Sequence, residues 1–235
     1  MASNSMKINT GKSNRELLER FPEPSQCLAA HLMYETSEVL AGVKPANLIP
    51  LVNRTRSCGR NLYDLWKYHR EEAVSMIPGI EFVQMRCSES SVLLFCFNRA
   101  SLERHLSHQG ISSLLEKSGY SRDNSFDEKL AELARRVGLG GDFPHEIGLF
   151  LGYPAKDVAA FMGYVRLPFR CQALWKIYGR PDESLRLAED YRICRKKMGS
   201  ILEKMNSLDR EEQNKIHAFF CHANDNSNQL HRKNG

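Results

Sequence analysis

Ile80-Glu81-Phe82-Val83-Gln84-Met85-Arg86-Cys87-Ser88-Glu89-Ser90-Ser91-Val92-Leu93-Leu94-Phe95-Cys96-Phe97 is the stretch that decides the fold. Ile80–Cys87 mixes apolar and polar residues, as a half-buried strand does. Val92–Phe97 is apolar throughout and reads as a central strand covered on both faces. Ser88-Glu89-Ser90-Ser91 between them is hairpin-turn chemistry. Four residues are too few for a crossover connection, so the two strands are expected to pair antiparallel.

Outward from this hairpin the chain reads as helices. Residues 61–77 carry Leu62, Leu65, Trp66 and Ile77 at helical spacing and stop at Pro78-Gly79. A helix from Ser25 to about Leu40 is expected, with Gly42 as its stop. Asn98 should cap a helix reaching Ser107, and a further helix spans Ile111 to Lys117. Ser125-Phe126-Asp127-Glu128 has the form of a capping box. Leu130, Leu133 and Val137 make the buried stripe of the helix it opens, which Gly138 and Gly140 close. Pro154 opens a short helix ending near Gly163, and a long one runs from Asp182 to Met205. Leu174–Tyr178 alternates large residues and is expected to be the third strand. Val43-Lys44-Pro45-Ala46-Asn47-Leu48-Ile49-Pro50, punctuated by prolines, reads as a loop or the start of a short helix.

The resulting class is α+β: a small, mainly antiparallel sheet of about three strands surrounded by helices. Residues 1–12 read as a disordered N-terminus and 13–206 as a single α+β domain. Residues 207–235 read as a C-terminal helix, near Leu208–Phe220, and a mobile tail. A helix opening at the Ser13-Asn14-Arg15-Glu16 capping box is expected inside the domain's first edge.

Composition narrows the class of molecule. The 235 residues are 42% hydrophobic and 26% charged, ordinary for a globular protein with its own core. The net charge of +5 forms no stripe or motif of a nucleic-acid binder, so nucleic acid is not expected as a partner. Seven cysteines, an odd number without a Cys-x-x-Cys pair, argue against a disulfide framework and a zinc knuckle. Reduced thiols and a cytoplasmic location follow as the expectation. The N-terminus lacks the apolar core of a signal peptide, and no apolar run approaches a membrane span.

Phe143-Pro144-His145-Glu146-Ile147-Gly148-Leu149-Phe150-Leu151-Gly152-Tyr153-Pro154 is the candidate site. It sets one adjacent acid–base pair in an otherwise apolar run, where polar groups must be satisfied or used. His145 and Glu146 are the candidate catalytic pair. On a helix such neighbours point about 100° apart, so one facing a cleft leaves the other to pair elsewhere. Gly148 and Leu149 stand where a zincin's distal histidine pattern would continue, which excludes that reading. Gly148 and Gly152 are better explained by close packing than by a phosphate loop, because the residues between them are Leu149, Phe150 and Leu151. Asp157 suits the first turn of the following helix.

On Trp175-Lys176-Ile177-Tyr178, Trp175 and Ile177 should face the core and Lys176 and Tyr178 the other side. Lys44, His145, Tyr153, Lys176 and Tyr178 are therefore the ligand-binding candidates, for a small anionic ligand. No metal ligand set is expected. His105 and His108 share a helix face but lack a third ligand, and His217, Cys221 and His222 lie near the end of the chain. Cations flanking Cys194 could lower its thiol pKa, but an inert cysteine is the base expectation.

Lys44-Pro45-Ala46-Asn47-Leu48, the 143–154 block with Asp157-Val158, and Trp175-Lys176-Ile177-Tyr178, with Leu114–Tyr120 between, together resemble a bacterial family catalogued as domain of unknown function 3793. The resemblance covers roughly residues 25–205; Cys171-Gln172-Ala173-Leu174 lack a glycine expected there, and the chain beyond about Asn206 falls outside the pattern. It implies a bacterial accessory protein linked to redox or metal metabolism and implies no activity or cofactor. Three functions stand side by side. The first is a small-ligand-binding or accessory protein. The second is a small enzyme using His145 as general acid/base. The third is an interaction module docking a protein partner through the apolar 143–164 region.

Overall fold

A computed structural model describes residues 20–139 and 143–205 of the chain. β1 (Ala46–Val52), β2 (Glu81–Cys87) and β3 (Ser91–Phe97) form one antiparallel sheet in the order β1-β3-β2. The hairpin read from 80–97 is β2 and β3, with β3 in the centre as its unbroken apolar run requires. Alternate β3 side chains enter two different cores. Val92, Leu94 and Cys96 pack with α1 (Pro24–Glu35) and α3 (Leu62–Ser75), through Leu28, Leu32 and Trp66. Phe95 and Phe97 pack with α4 (Arg99–Ser107), α5 (Gln109–Lys117) and α6 (Phe126–Gly138), through Leu102, Leu115 and Leu133. Leu94, Phe95 and Phe97 are each wholly buried, which contributes about 1.5–3 kcal/mol apiece over leaving them in water.

The third strand is not the one expected. Ala46–Val52, read as a loop or the start of a short helix, is β1, in register from Ala46↔Phe97 to Val52↔Ser91. Pro50, opposite Leu93, is tolerated because β1 is an edge strand and a missing N–H there disturbs no second partner. Leu174–Tyr178 was expected to join the sheet. Only Lys176–Tyr178 is a strand, β5, and it pairs with β4 (Phe169–Gln172) in a separate two-stranded hairpin.

Helix ends follow the capping chemistry. The Asn61 and Asn98 side chains accept from the backbone N–H of Tyr63 and Ser101, and Ser125 with Glu128 forms a complete capping box. The helix expected over 25–40 is broken. It is α1 and α2 (Ser37–Leu40), separated at Thr36, whose hydroxyl donates to the Leu32 carbonyl at 2.7 Å. Gly42, at φ 71°, stops it. α7 (Ile147–Phe150) and α8 (Ala155–Phe161) follow, and α9 (Asp182–Met205) crosses to α1 and buries Met198 and Leu202 in the first core. The helix expected at Ser13–Glu16, the Leu208–Phe220 helix, both terminal segments and Gly140 lie outside the described residues.

Candidate functional site

The site begins with the way α7 ends. Leu151 caps it, Gly152 takes the left-handed conformation at φ 74°, and two bonds close the turn: Gly152 N–H to the Leu149 carbonyl at 3.2 Å and Tyr153 N–H to the Gly148 carbonyl at 2.9 Å. This is a Schellman motif, and it swings Tyr153 back across the helix. A Cβ on Gly148 would meet Val158 Cγ2 at 3.0 Å and Tyr153 Cδ2 at 3.3 Å. On Gly152 it would meet Pro45 Cδ at 2.4 Å. Both glycines answer to close approach, as their apolar surroundings imply.

Tyr153 stacks on Trp175, with ring centroids 4.6 Å apart and planes at 22°. The stack forms one wall of a cavity of about 300 Å³. Phe161, Phe143, Val158 and Ile147 line the rest, with His145, Gln172, Lys176 and the hydrogen-bonded Asp157 as polar members. The His145 ring is exposed and meets the Phe161 ring edge-on at 4.8 Å. Lys176 Nζ lies over the same Phe161 ring at 5.2 Å.

Asp157 holds this wall in place. It is 1% exposed and accepts four hydrogen bonds. Oδ1 takes the Tyr178 backbone N–H at 2.9 Å and Lys156 Nζ at 2.8 Å; Oδ2 takes Trp175 Nε1 at 2.9 Å and the Ser184 hydroxyl at 2.6 Å. Burial alone would raise its carboxyl pKa, but the donors from Lys156, Ser184, Tyr178 and Trp175 outweigh it and hold the group below its ordinary value. One side chain thus ties α8 to β5 and to the start of α9. Its position in the first turn of α8 was legible; its role as the hub of three elements was not.

His145, Tyr153 and Lys176 line the cavity together; the other two ligand-binding candidates stand elsewhere. Lys44, 5% exposed, lies behind Tyr153. Its Nζ donates to Asn47 Oδ1 at 2.8 Å and sits 5.4 Å and 5.2 Å from the rings of Tyr153 and Tyr191. Burial pushes its pKa down to about 8, with Glu38 opposing. Tyr178 contributes its backbone N–H to Asp157 and sets its ring against Phe169. Trp175 and Ile177 are buried and Lys176 is exposed, the alternation that the sequence implies.

Glu146 points away from His145. Its Oε1 accepts from Arg136 Nη1 at 2.7 Å and from the Tyr120 hydroxyl at 3.4 Å. Arg136 also donates to the Ser118 carbonyl and lies over the Tyr120 ring at 4.3 Å. The Tyr120 hydroxyl pKa is raised by burial and by the Glu146 carboxylate. Glu146 therefore fastens the 143–154 turn to α6 and to Tyr120, just past the end of α5. His105 does comparable work, with Nε2 at 2.8 Å from the Leu149 carbonyl.

The alternative of a cation-activated Cys194 finds no support. Partial burial and Glu38 push its thiol pKa up, and Lys197 only partly offsets them. Among the described residues no group of three His, Cys, Asp or Glu side chains could hold a metal ion, and no helix is long and apolar enough to cross a membrane.

Residues 32–210 match the sequence profile of a family described as "Protein of unknown function (DUF3793)". The chain belongs to the DUF3793 family. No curated protein and no solved structure matches it. In this DUF3793 member the cavity walls come from inside the matched region: the 143–154 turn, α8 and β5. In the sequence Phe161 is only one residue of the apolar 143–164 region and Trp175 only a core position. An aromatic residue at helical spacing looks the same whether it fills a core or walls a cavity.

Proposed function

We propose that this DUF3793 member binds a small, flat, mainly apolar ligand that carries an anionic group. The observation that carries this reading is the cavity of about 300 Å³, walled by the Tyr153–Trp175 stack and Phe161, with Lys176 and His145 as its basic members. Ligand sites are typically concave and apolar with a few placed polar groups. Flat aromatic walls favour a planar body, and Lys176 supplies a charge for an anion at the open side. Catalysis by His145 is less favoured, because the adjacent acid that would orient its ring is committed to Arg136. The reading rests on the cavity alone and draws nothing from redox or metal chemistry.

The test uses 2-naphthoate as the probe and Trp175 emission as the readout. The chain has two tryptophans, so a Trp66→Phe background leaves Trp175 alone as reporter. Saturable quenching is expected. Lys176→Gln should weaken 2-naphthoate roughly 3–10-fold while leaving the uncharged 2-naphthol unchanged, because only the charge-assisted contact is removed. His145→Ala, at an exposed ring, should weaken the probe without moving the melting temperature. Unsaturable quenching, or equal losses for both probes, would defeat the proposal.

A further inference from the structure

The segment leading into the β4–β5 hairpin, beside the cavity, is open to solvent, with the Phe169 ring edge meeting Tyr178. Six consecutive residues, Val165-Arg166-Leu167-Pro168-Phe169-Arg170, are all exposed. Phe169 is 55% exposed, and Phe161 and Leu174 flank the run with their side chains open to solvent. Apolar residues and cations alternate along it. Between Asp157 and Asp182 the chain carries Arg166, Arg170, Lys176 and Arg180 and not one Asp or Glu. Among the described residues Arg166, Arg170 and Lys176 make no ion pair; Arg170 Nε donates to the Gly179 carbonyl, and Arg180 lies 3.8 Å from Asp182.

We propose that this segment, from Val165 to the first residues of β4, docks on an anionic lipid surface, with Val165, Leu167 and Phe169 entering the headgroup boundary and Arg166 and Arg170 meeting the phosphates. The charge complementarity is one-signed and makes no demand on sequence, which suits a field of lipid phosphates. Arginine can lay its stem along apolar surface while its guanidinium stays at the polar level, so alternation with Val, Leu and Phe is compatible with shallow insertion. An exposed apolar patch of this kind marks an interaction site rather than a core. The inference is independent of the ligand proposal: no substitution used in its test lines the cavity.

The experiment is co-sedimentation of the full chain with vesicles of phosphatidylcholine and phosphatidylglycerol, 7:3, at low salt, against phosphatidylcholine alone. Binding to the mixed vesicles is expected, and little to the neutral ones. Arg166→Gln with Arg170→Gln should lower partitioning roughly 25-fold, at about fivefold per cation near the surface. Val165→Ser with Phe169→Ser keeps every charge and should lower it by about tenfold. Lys196→Gln with Lys197→Gln, on α9, should lower it far less. Phe169→Trp should gain a blue-shifted component on adding mixed vesicles, a readout that needs no loss of the hairpin. Absence of sedimentation, an α9 variant as damaging as the hairpin ones, an inert Val165/Phe169 variant or an unshifted Phe169→Trp emission would each overturn the proposal. So would tighter binding to a glutamate–tyrosine copolymer than to the vesicles, which would assign the surface to an acidic protein.

Discussion

Asp157→Asn isolates the hub beneath the cavity wall. The substitution keeps the volume and removes one acceptor. If the amide nitrogen replaces Oδ2, it faces Trp175 Nε1; the Ser184 hydroxyl can rotate to accept, but the indole N–H cannot. If it replaces Oδ1, it strands the Tyr178 N–H and takes the charge partner from Lys156. The cheaper arrangement leaves one buried donor unpaired, at about 1–3 kcal/mol, and turns the remaining bonds from charge-assisted to neutral, at about 1 kcal/mol more. A loss of about 2–4 kcal/mol is expected from urea unfolding at pH 7. In a chain this size that lowers the melting temperature by roughly 4–16 °C. The pH dependence gives a second reading. Because the folded carboxyl pKa lies below its unfolded value, its contribution is present above the unfolded pKa and is lost as pH falls through the folded one. The parent and the variant should therefore converge in stability as the solution is acidified below about pH 4. A variant within about 0.5 kcal/mol of the parent at pH 7, or a gap that does not narrow in acid, would refute the assignment of Asp157 as the tie between α8, β5 and α9.

Gly152→Ala and Gly163→Ala form a matched pair, since both glycines close a helix in the left-handed conformation, at φ 74° and 77°. Gly163 has nothing within 4 Å of an added Cβ and should lose only about 1–2 kcal/mol of backbone strain; Gly152 should lose about 1–3 kcal/mol more against Pro45, and equal losses in denaturant titrations would refute that contact. His31, 3% exposed, has neither ring nitrogen hydrogen-bonded among the described residues, and burial first, then Arg56 and Arg195, hold its pKa down to about 3. The unfolded chain takes up this proton before the folded one does, so parent stability should fall as pH drops from about 6.5 toward 3. His31→Leu should remove that component and gain about 1–2 kcal/mol at pH 7, measured by thermal and urea unfolding; an unchanged pH slope would count against it.

Local chemistry made much of this protein legible from its sequence. The β2–β3 hairpin, the Asn61 and Asn98 caps and the Ser125–Glu128 box rest on residues within a few positions of one another, and each appears where those residues stand. The outward and inward alternation at Trp175–Tyr178 and the tight packing at Gly148 are of the same kind. Family membership was legible too, because the 143–154 block is long and specific.

What failed depended on partners far along the chain. Ala46–Val52 has two prolines in or beside it and looks like a loop; it is a strand because Ser91–Phe97, some forty residues on, offers it an edge. Phe169–Gln172 gave no strand signal and becomes one through β5. Lys44 and Tyr178 carry the chemistry of ligand contacts, yet one is buried behind Tyr153 and the other holds Asp157 with its backbone. The sequence by itself determined the central hairpin, the Asn61, Asn98 and Ser125 helix starts and the family, because short-range hydrogen bonds and periodic burial decide them. Only the tertiary structure decided the third strand, which of His145 and Glu146 faces the cavity, and the cavity itself, because each is set by which distant surface a side chain meets.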